Sequence, residues 1–126
     1  MRCSTCTIAG IVLAGAAVML GAFGAHALKA TLEESAQLDN WHTAVRYQMW
    51  HALALIAYGT WRRGREARWT PAWCFLIGSL LFSGSIYALC FDVARPVMGP
   101  ITPLGGSFMI AGWVAFGVQA WRSESS

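Results

Sequence analysis

Residues 41–61 read WHTAVRYQMWHALALIAYGTW, and whether this stretch crosses a membrane decides how many spans the chain has. Arg46 interrupts it, and the uncharged part that remains, Tyr47–Trp61, is too short to cross alone. A hydrocarbon core about 30 Å thick needs roughly 20 residues of helix. Taken from Trp41 to Trp61 the stretch meets that length, with Arg46 near one end. From Arg46 to Arg62 the helix rises about 24 Å. That places Arg46 about one turn inside the core, within reach of the headgroups for a long side chain. The segment reads as a transmembrane helix with a charge in its outer turn.

The remaining spans are simpler. No charge occurs over Cys3–Leu28, Trp69–Phe91 or Pro96–Trp121. Each is long enough to cross as helix. Thr70-Pro71 and Thr102-Pro103 pair a capping hydroxyl with a proline whose missing N–H costs nothing at a helix start. The expected helices are therefore about 8–28, 42–61, 71–91 and 103–121. Asp92–Ile101, with Pro96, Gly99 and Pro100, reads as a non-helical turn. Lys29–Asn40 reads as a short surface helix or loop. The fold class is all-α, a single four-helix transmembrane domain over 1–126.

Composition agrees. Hydrophobic residues make up 56% of the 126 and charged residues 12%, about half the charged share of soluble domains. Seven tryptophans suit a chain with many membrane–water boundaries. The net charge of +3 is not interleaved with exposed aromatics on a polar surface, so nucleic acid is not an expected partner. The lipid bilayer is.

Six basic residues, Arg2, Arg62, Arg63, Arg65, Arg68 and Arg122, fall on one side of this parsing. Lys29, Arg95 and Arg46 fall on the other. The excess marks the cytoplasmic side, and both termini belong there. A rival parsing takes residues 1–27 as a signal peptide ending at Ala25-His26-Ala27. Its apolar run is longer than such peptides use. Gly10, Ala14, Ala17, Gly21 and Gly24 also line one helix face, as close packing against another helix requires. The first helix is expected to be retained.

The four cysteines make no disulfide framework, since only Cys90 would face an oxidising compartment. Cys3-x-x-Cys6 is a lone pair and reads as terminal thiols. His26, His42 and His51 lack ligand spacing, and no acid lies in a span to join them. Ser83-Gly84-Ser85 with His51 lacks a third, orienting acid. No catalytic residue, cofactor or metal is expected, and the chain is not read as an enzyme. Arg46 is expected to pair at the boundary with Glu33, Glu34 or Asp39. The Arg62–Arg68 run reads first as a topology signal and second as an anionic-lipid contact. Gly105-Gly106 reads as close helix packing.

The informative polar residues lie inside the spans, where burial in hydrocarbon is costly. Tyr47, His51, Ala54 and Tyr58 form one stripe, and Ser79, Ser83, Tyr87 and Cys90 another. With Gln48, Ser85 and His26 they share a layer from mid-membrane to the outer surface. Two readings stay open. One is a hydrated pocket of His26, Tyr47, Gln48, His51, Ser83, Ser85 and Tyr87, with His51 titrating. The other, favoured here, is interhelical hydrogen bonding in a tight bundle, with His51 bonded to Ser83 or Tyr87.

Several stretches also carry a resemblance. They are Gly21-Ala22-Phe23-Gly24-Ala25-His26; Trp41-His42-Thr43-Ala44-Val45 with Tyr47-Gln48 and His51-Ala52-Leu53-Ala54; Leu81-Phe82-Ser83-Gly84-Ser85-Ile86-Tyr87; and Thr102-Pro103-Leu104-Gly105-Gly106 with Gly112-Trp113. Together they resemble the YgdD-like small inner-membrane proteins, domain-of-unknown-function family 423, similar also to eukaryotic transmembrane protein 256. The resemblance runs from about Gly10 to Trp121. It implies a multi-pass helical protein of the bacterial inner (plasma) membrane with no established activity. Cys3, Cys6 and Arg46 stand outside its pattern. The expected role is packing or accessory, in a homo-oligomer or a larger membrane complex. The alternative is an oligomeric permeation or transport unit around His51.

Overall fold

A computed structural model describes residues 1–126. The chain is all-helical: α1 (Cys3–Ala25), α2 (Lys29–Glu34), α3 (Leu38–Trp61), α4 (Thr70–Cys90) and α5 (Arg95–Glu124). Of these, α1, α4 and α5 are long and apolar enough to cross a membrane. α3 is as long, at 24 residues, but carries Asp39, Arg46, Gln48 and His51.

The helices pack in the order α1–α3–α4–α5. α3 and α4 each bury nine residues against four in α1 and three in α5, so the middle pair forms the core. The flanking helices instead expose Ile8, Ile11, Val12 and Val18, and Ile110, Val114 and Val118. Such surfaces suit hydrocarbon as the surrounding solvent.

α1 and α3 run antiparallel, and three hydrogen bonds fix their register. Trp41 Nε1 donates to the Leu20 carbonyl at 2.9 Å, Gln48 Nε2 to that of Leu13 at 2.9 Å, and Cys6 Sγ to that of Leu55 at 3.3 Å. Each step is seven forward on one helix and seven back on the other. The α1 seam is Cys6, Gly10, Leu13, Ala17, Leu20 and Gly24, alternating by four and three as antiparallel helix pairs with heptad packing do. A side-chain carbon added at Gly10 would lie 2.7 Å from the Ala52 carbonyl oxygen. One added at Gly24 would strike the Trp41 ring. Gly10, Ala17 and Gly24 are thus buried in the seam, while Gly21 sits at its margin with 3.3 Å to Val45, and Ala14 is half-buried.

α4 and α5 form a second antiparallel hairpin of the same kind. Gly78 faces the Gly105 carbonyl and Met109, Gly105 faces the Phe82 backbone, and Gly112 faces Phe75. Ser85 and Thr102 meet at 2.5 Å at one end, and the Arg68 amide donates to Gln119 Oε1 at 2.9 Å at the other. Between the hairpins, Ser83 Oγ donates to the Ala44 carbonyl at 2.7 Å. α2 closes one end by burying Leu32 beside Trp41, Ala44, Ile86 and Cys90.

Several boundaries differ from the sequence reading: α1 begins at Cys3 instead of about 8, α3 at Leu38 instead of about 42, and α5 at Arg95 instead of about 103. α1 stops at Ala25 instead of residue 28, because the chain turns through His26–Leu28, where the Leu28 amide donates back to the Phe23 carbonyl at 2.8 Å. The expected turn Asp92–Ile101 is mostly helix, with the reversal confined to Phe91–Ala94. Asp92 and Ala94 take positive φ there (58° and 47°), and Arg95 Nε bonds Asp92 Oδ1 at 2.7 Å. Pro96 falls in the first turn, where no amide partner is needed. Pro100 and Pro103 each withdraw one interior amide hydrogen. Thr102 is consequently interior and caps nothing; its hydroxyl reaches the Met98 carbonyl at 3.2 Å. Thr70 likewise is the first helical residue and makes no capping bond, its N-cap position being taken by Trp69.

Candidate functional site

The polar side chains of the middle helices resolve into separate pairings. Gln48 is a three-helix node: its Nε2 donates to Leu13 of α1, and its Oε1 accepts from the Tyr87 hydroxyl of α4 at 2.8 Å. Both ends of the amide are used, so it can be buried without an unmet bond.

His51 lies one turn further along α3 and is 4% exposed. Its Nδ1 is 2.7 Å from the Tyr47 carbonyl, and its Nε2 is 3.1 Å from Trp113 Nε1 of α5. An indole nitrogen only donates, and a backbone carbonyl only accepts. The two bonds together require the neutral imidazole with its proton on Nδ1. Phe75 and Trp113 enclose the ring, with centroids 5.8 and 6.0 Å away. The expected partners of His51 are engaged elsewhere: Ser83 with Ala44, and Tyr87 with Gln48. Ser85 turns to α5 and bonds Thr102.

Of the seven residues read as one pocket, the structure places Tyr47, Gln48 and His51 together on α3 and joins Tyr87 of α4 to Gln48. Ser83 and Ser85 sit at separate helix contacts. Tyr47 is exposed, its ring tilted against Trp50 and Phe82 with centroids at 5.1 and 4.7 Å and parallel to that of His51 at 6.2 Å. His26 is exposed on the turn after α1, and its side chain bonds none of the others. The buried Ser79 hydroxyl has no partner. Arg46 is exposed and pairs with no acid, since Glu33 faces Lys29 at 3.9 Å instead. All four cysteines are free. Cys6 is buried in the α1–α3 seam and is more than a terminal thiol.

Sequence reasoning missed Trp113 and Thr102 as polar partners. A tryptophan in the middle of an apolar helix carries one donor that must be satisfied, and that was the available signal. A cleft of about 390 Å³ opens beside this pair. Tyr47 and Trp50 form one wall, Phe82, Gly106, Met109 and Ile110 the other, and His51 and Trp113 the floor.

Comparison with known proteins adds an identity to this geometry. The family model described as "Protein of unknown function (DUF423)" matches residues 20–106. A UPF0382 membrane protein of Schizosaccharomyces pombe is 40% identical over 100 residues, covering 76% of this chain and 84% of its own. A UPF0382 membrane protein of Haemophilus influenzae is 40% identical over 110 residues, 86% of each chain. The UPF0382 membrane protein YwdK of Bacillus subtilis is 40% identical over 116 residues, 90% of this chain and 93% of its own. No solved structure matches. With its apolar helices and these relatives, the chain is a membrane protein, and it belongs to the DUF423 family, whose function is uncharacterised.

Proposed function

We propose that this protein is a four-span bundle of the bacterial inner membrane, with both termini cytoplasmic, that acts as an accessory protein by packing its α5 face against a second copy of itself. The observation that carries this reading is a repeated seam on α5. Gly105, Met109 and Gly112 face α4, and Phe116, one turn on, packs on Tyr58 and Trp61 of α3. One residue on, Gly106, Ile110, Trp113 and Gly117 repeat the same four-three-four spacing, the first three of them lining the cleft. An added carbon at Gly106 would meet only the Phe82 ring, at 3.7 Å, and one at Gly117 would meet nothing within 4 Å. Small residues at such spacing let helices approach closely, which drives association where lipid supplies no hydrophobic force. A seam shared by two copies about a twofold axis is self-complementary.

The pairings of Gln48, His51, Ser83 and Ser85 support the packing role over permeation, because they leave no run of free polar groups. Native mass spectrometry in lipid tests the reading. A dimer is expected, with Gly106→Leu shifting it to monomer while the melt stays unchanged. A wild-type monomer would refute it, and co-purification of a different membrane protein would replace the second copy as the occupant. Proton flux in liposomes that His51→Gln abolishes at unchanged stability would favour the permeation reading instead.

A further inference from the structure

The antiparallel hairpins bring the N-terminus of α1, the C-terminal ends of α3 and α5 and the start of α4 to one end of the bundle. Arg2, Arg62, Arg63, Arg65, Arg68 and Arg122 gather there, against Glu66 and Glu124. Between the α3–α4 loop and the last turn of α5 lies a cavity of about 520 Å³. Arg65, Arg68, Arg122, Gln119 and Ser123 line it, with Glu66 the one acidic side chain and Ser126 also in its wall. It is separate from the aromatic cleft and from the α5 face proposed to pair with a second copy.

The loop around the cavity is built in advance. Arg62 donates to the Ala67 carbonyl and stacks over Trp69 with its guanidinium carbon 3.4 Å from the ring centroid. Arg65 donates to the Trp61 carbonyl. The Arg68 backbone is clamped twice: Gln119 Oε1 accepts its amide, and the Tyr58 hydroxyl donates to its carbonyl. The Arg68 and Arg122 guanidiniums themselves have no protein partner, and both ion pairs of the protein lie at the opposite end. Two free guanidinium forks and a third held in the same wall outnumber the negative groups there and leave the cavity with net positive charge. Guanidinium matches the geometry of a phosphate oxyanion with paired bonds. The volume admits a multi-atom headgroup. Trp73 and Trp121, 47% and 76% exposed, mark this level as a membrane interface.

We propose that this cavity binds a phosphate group, presented by the headgroup of an anionic phospholipid. Native mass spectrometry of the full chain, released from vesicles of phosphatidylglycerol or of phosphatidylcholine, tests it. A phosphatidylglycerol adduct is expected and a phosphatidylcholine adduct is not. Arg68→Gln with Arg122→Gln weakens the adduct by about tenfold or more, since hydrogen bonds between charged groups are lost. Arg122→Gln alone, at an exposed helix end, reports binding even where the double variant folds poorly. Arg63→Gln, outside the cavity, leaves the adduct intact, and Glu66→Gln strengthens it. An adduct unchanged in both arginine variants overturns the site. Displacement by millimolar inorganic phosphate with no preference between the lipids overturns the lipid source and assigns the cavity to soluble phosphate.

Discussion

Trp113 carries one N–H and no acceptor, and that settles which nitrogen of His51 holds the proton. A protonated Nε2 would set two donors against each other in a site closed by Phe75 and Trp113, so the buried ring is a neutral hydrogen-bond bridge between α3 and α5. Nitrogen-15 NMR of the side chain should show Nδ1 protonated and Nε2 bare. Trp113→Phe should release the preference, because only the Tyr47 carbonyl then holds the ring. The opposite tautomer, or a doubly protonated ring at neutral pH, would contradict the bridge. The sequence placed His51 on one stripe of α3 with Tyr47, Ala54 and Tyr58, of which Tyr47 is exposed, and placed Gln48 only at the same depth. It could not assign their partners. Which side chain meets His51 depends on how far α5 is rotated about its axis, and α5 is apolar on nearly every face.

The two hairpins rest on backbone contact, which glycine permits and alanine does not. Gly10→Ala would put a methyl 2.7 Å from both the Ala52 carbonyl oxygen and Ile56 Cγ1. A backbone oxygen cannot rotate away as a side chain can, so the helices must separate. The expected loss is about 1–3 kcal/mol, the range for overpacking. Gly15→Ala, further along the same helix, meets nothing within 4 Å and should cost nothing. Gly78→Ala and Gly84→Ala repeat the contrast in α4, where the first meets the Gly105 carbonyl oxygen at 2.9 Å and the second meets nothing. Thermal melts in detergent measure all four, and equal melts within a pair would rule out the close approach. At this scale the sequence was most legible in α1, where small residues can have few purposes in a long apolar run. It misled at α5. Pro96, Gly99 and Pro100 read as a turn, yet Pro96 sits in a first turn that needs no amide, and the helix tolerates Pro100 and Pro103.

For the whole molecule, charge is distributed by end, and the antiparallel register makes the ends unambiguous: Cys3 of α1 lies beside Gly59 of α3, and Arg68 beside Gln119 of α5. Six of the nine basic residues collect at that end. The other end holds Lys29, Arg46 and Arg95 with Glu33, Glu34, Asp39 and Asp92, and two of those bases are already paired with acids. Six against three is the asymmetry on which the proposed orientation, with both termini cytoplasmic, rests. α3 is about 36 Å long at 1.5 Å per residue and packs between α1 and α4, and the four-span reading proposed above has it cross with them despite its polar face. Fusing a fluorescent protein that folds only in the cytoplasm to Ser126 should give fluorescence, and an exported phosphatase at the same point should be inactive. A thiol-reactive, membrane-impermeant label should reach Ser35→Cys from the periplasm and Gly64→Cys only after lysis, with the natural cysteines replaced. Labelling of both positions on the same side would reduce the spans to three, because only a non-crossing α3 leaves those two loops together. An active phosphatase at Ser126, with the two loops still on opposite sides, would keep all four spans and reverse the proposed orientation.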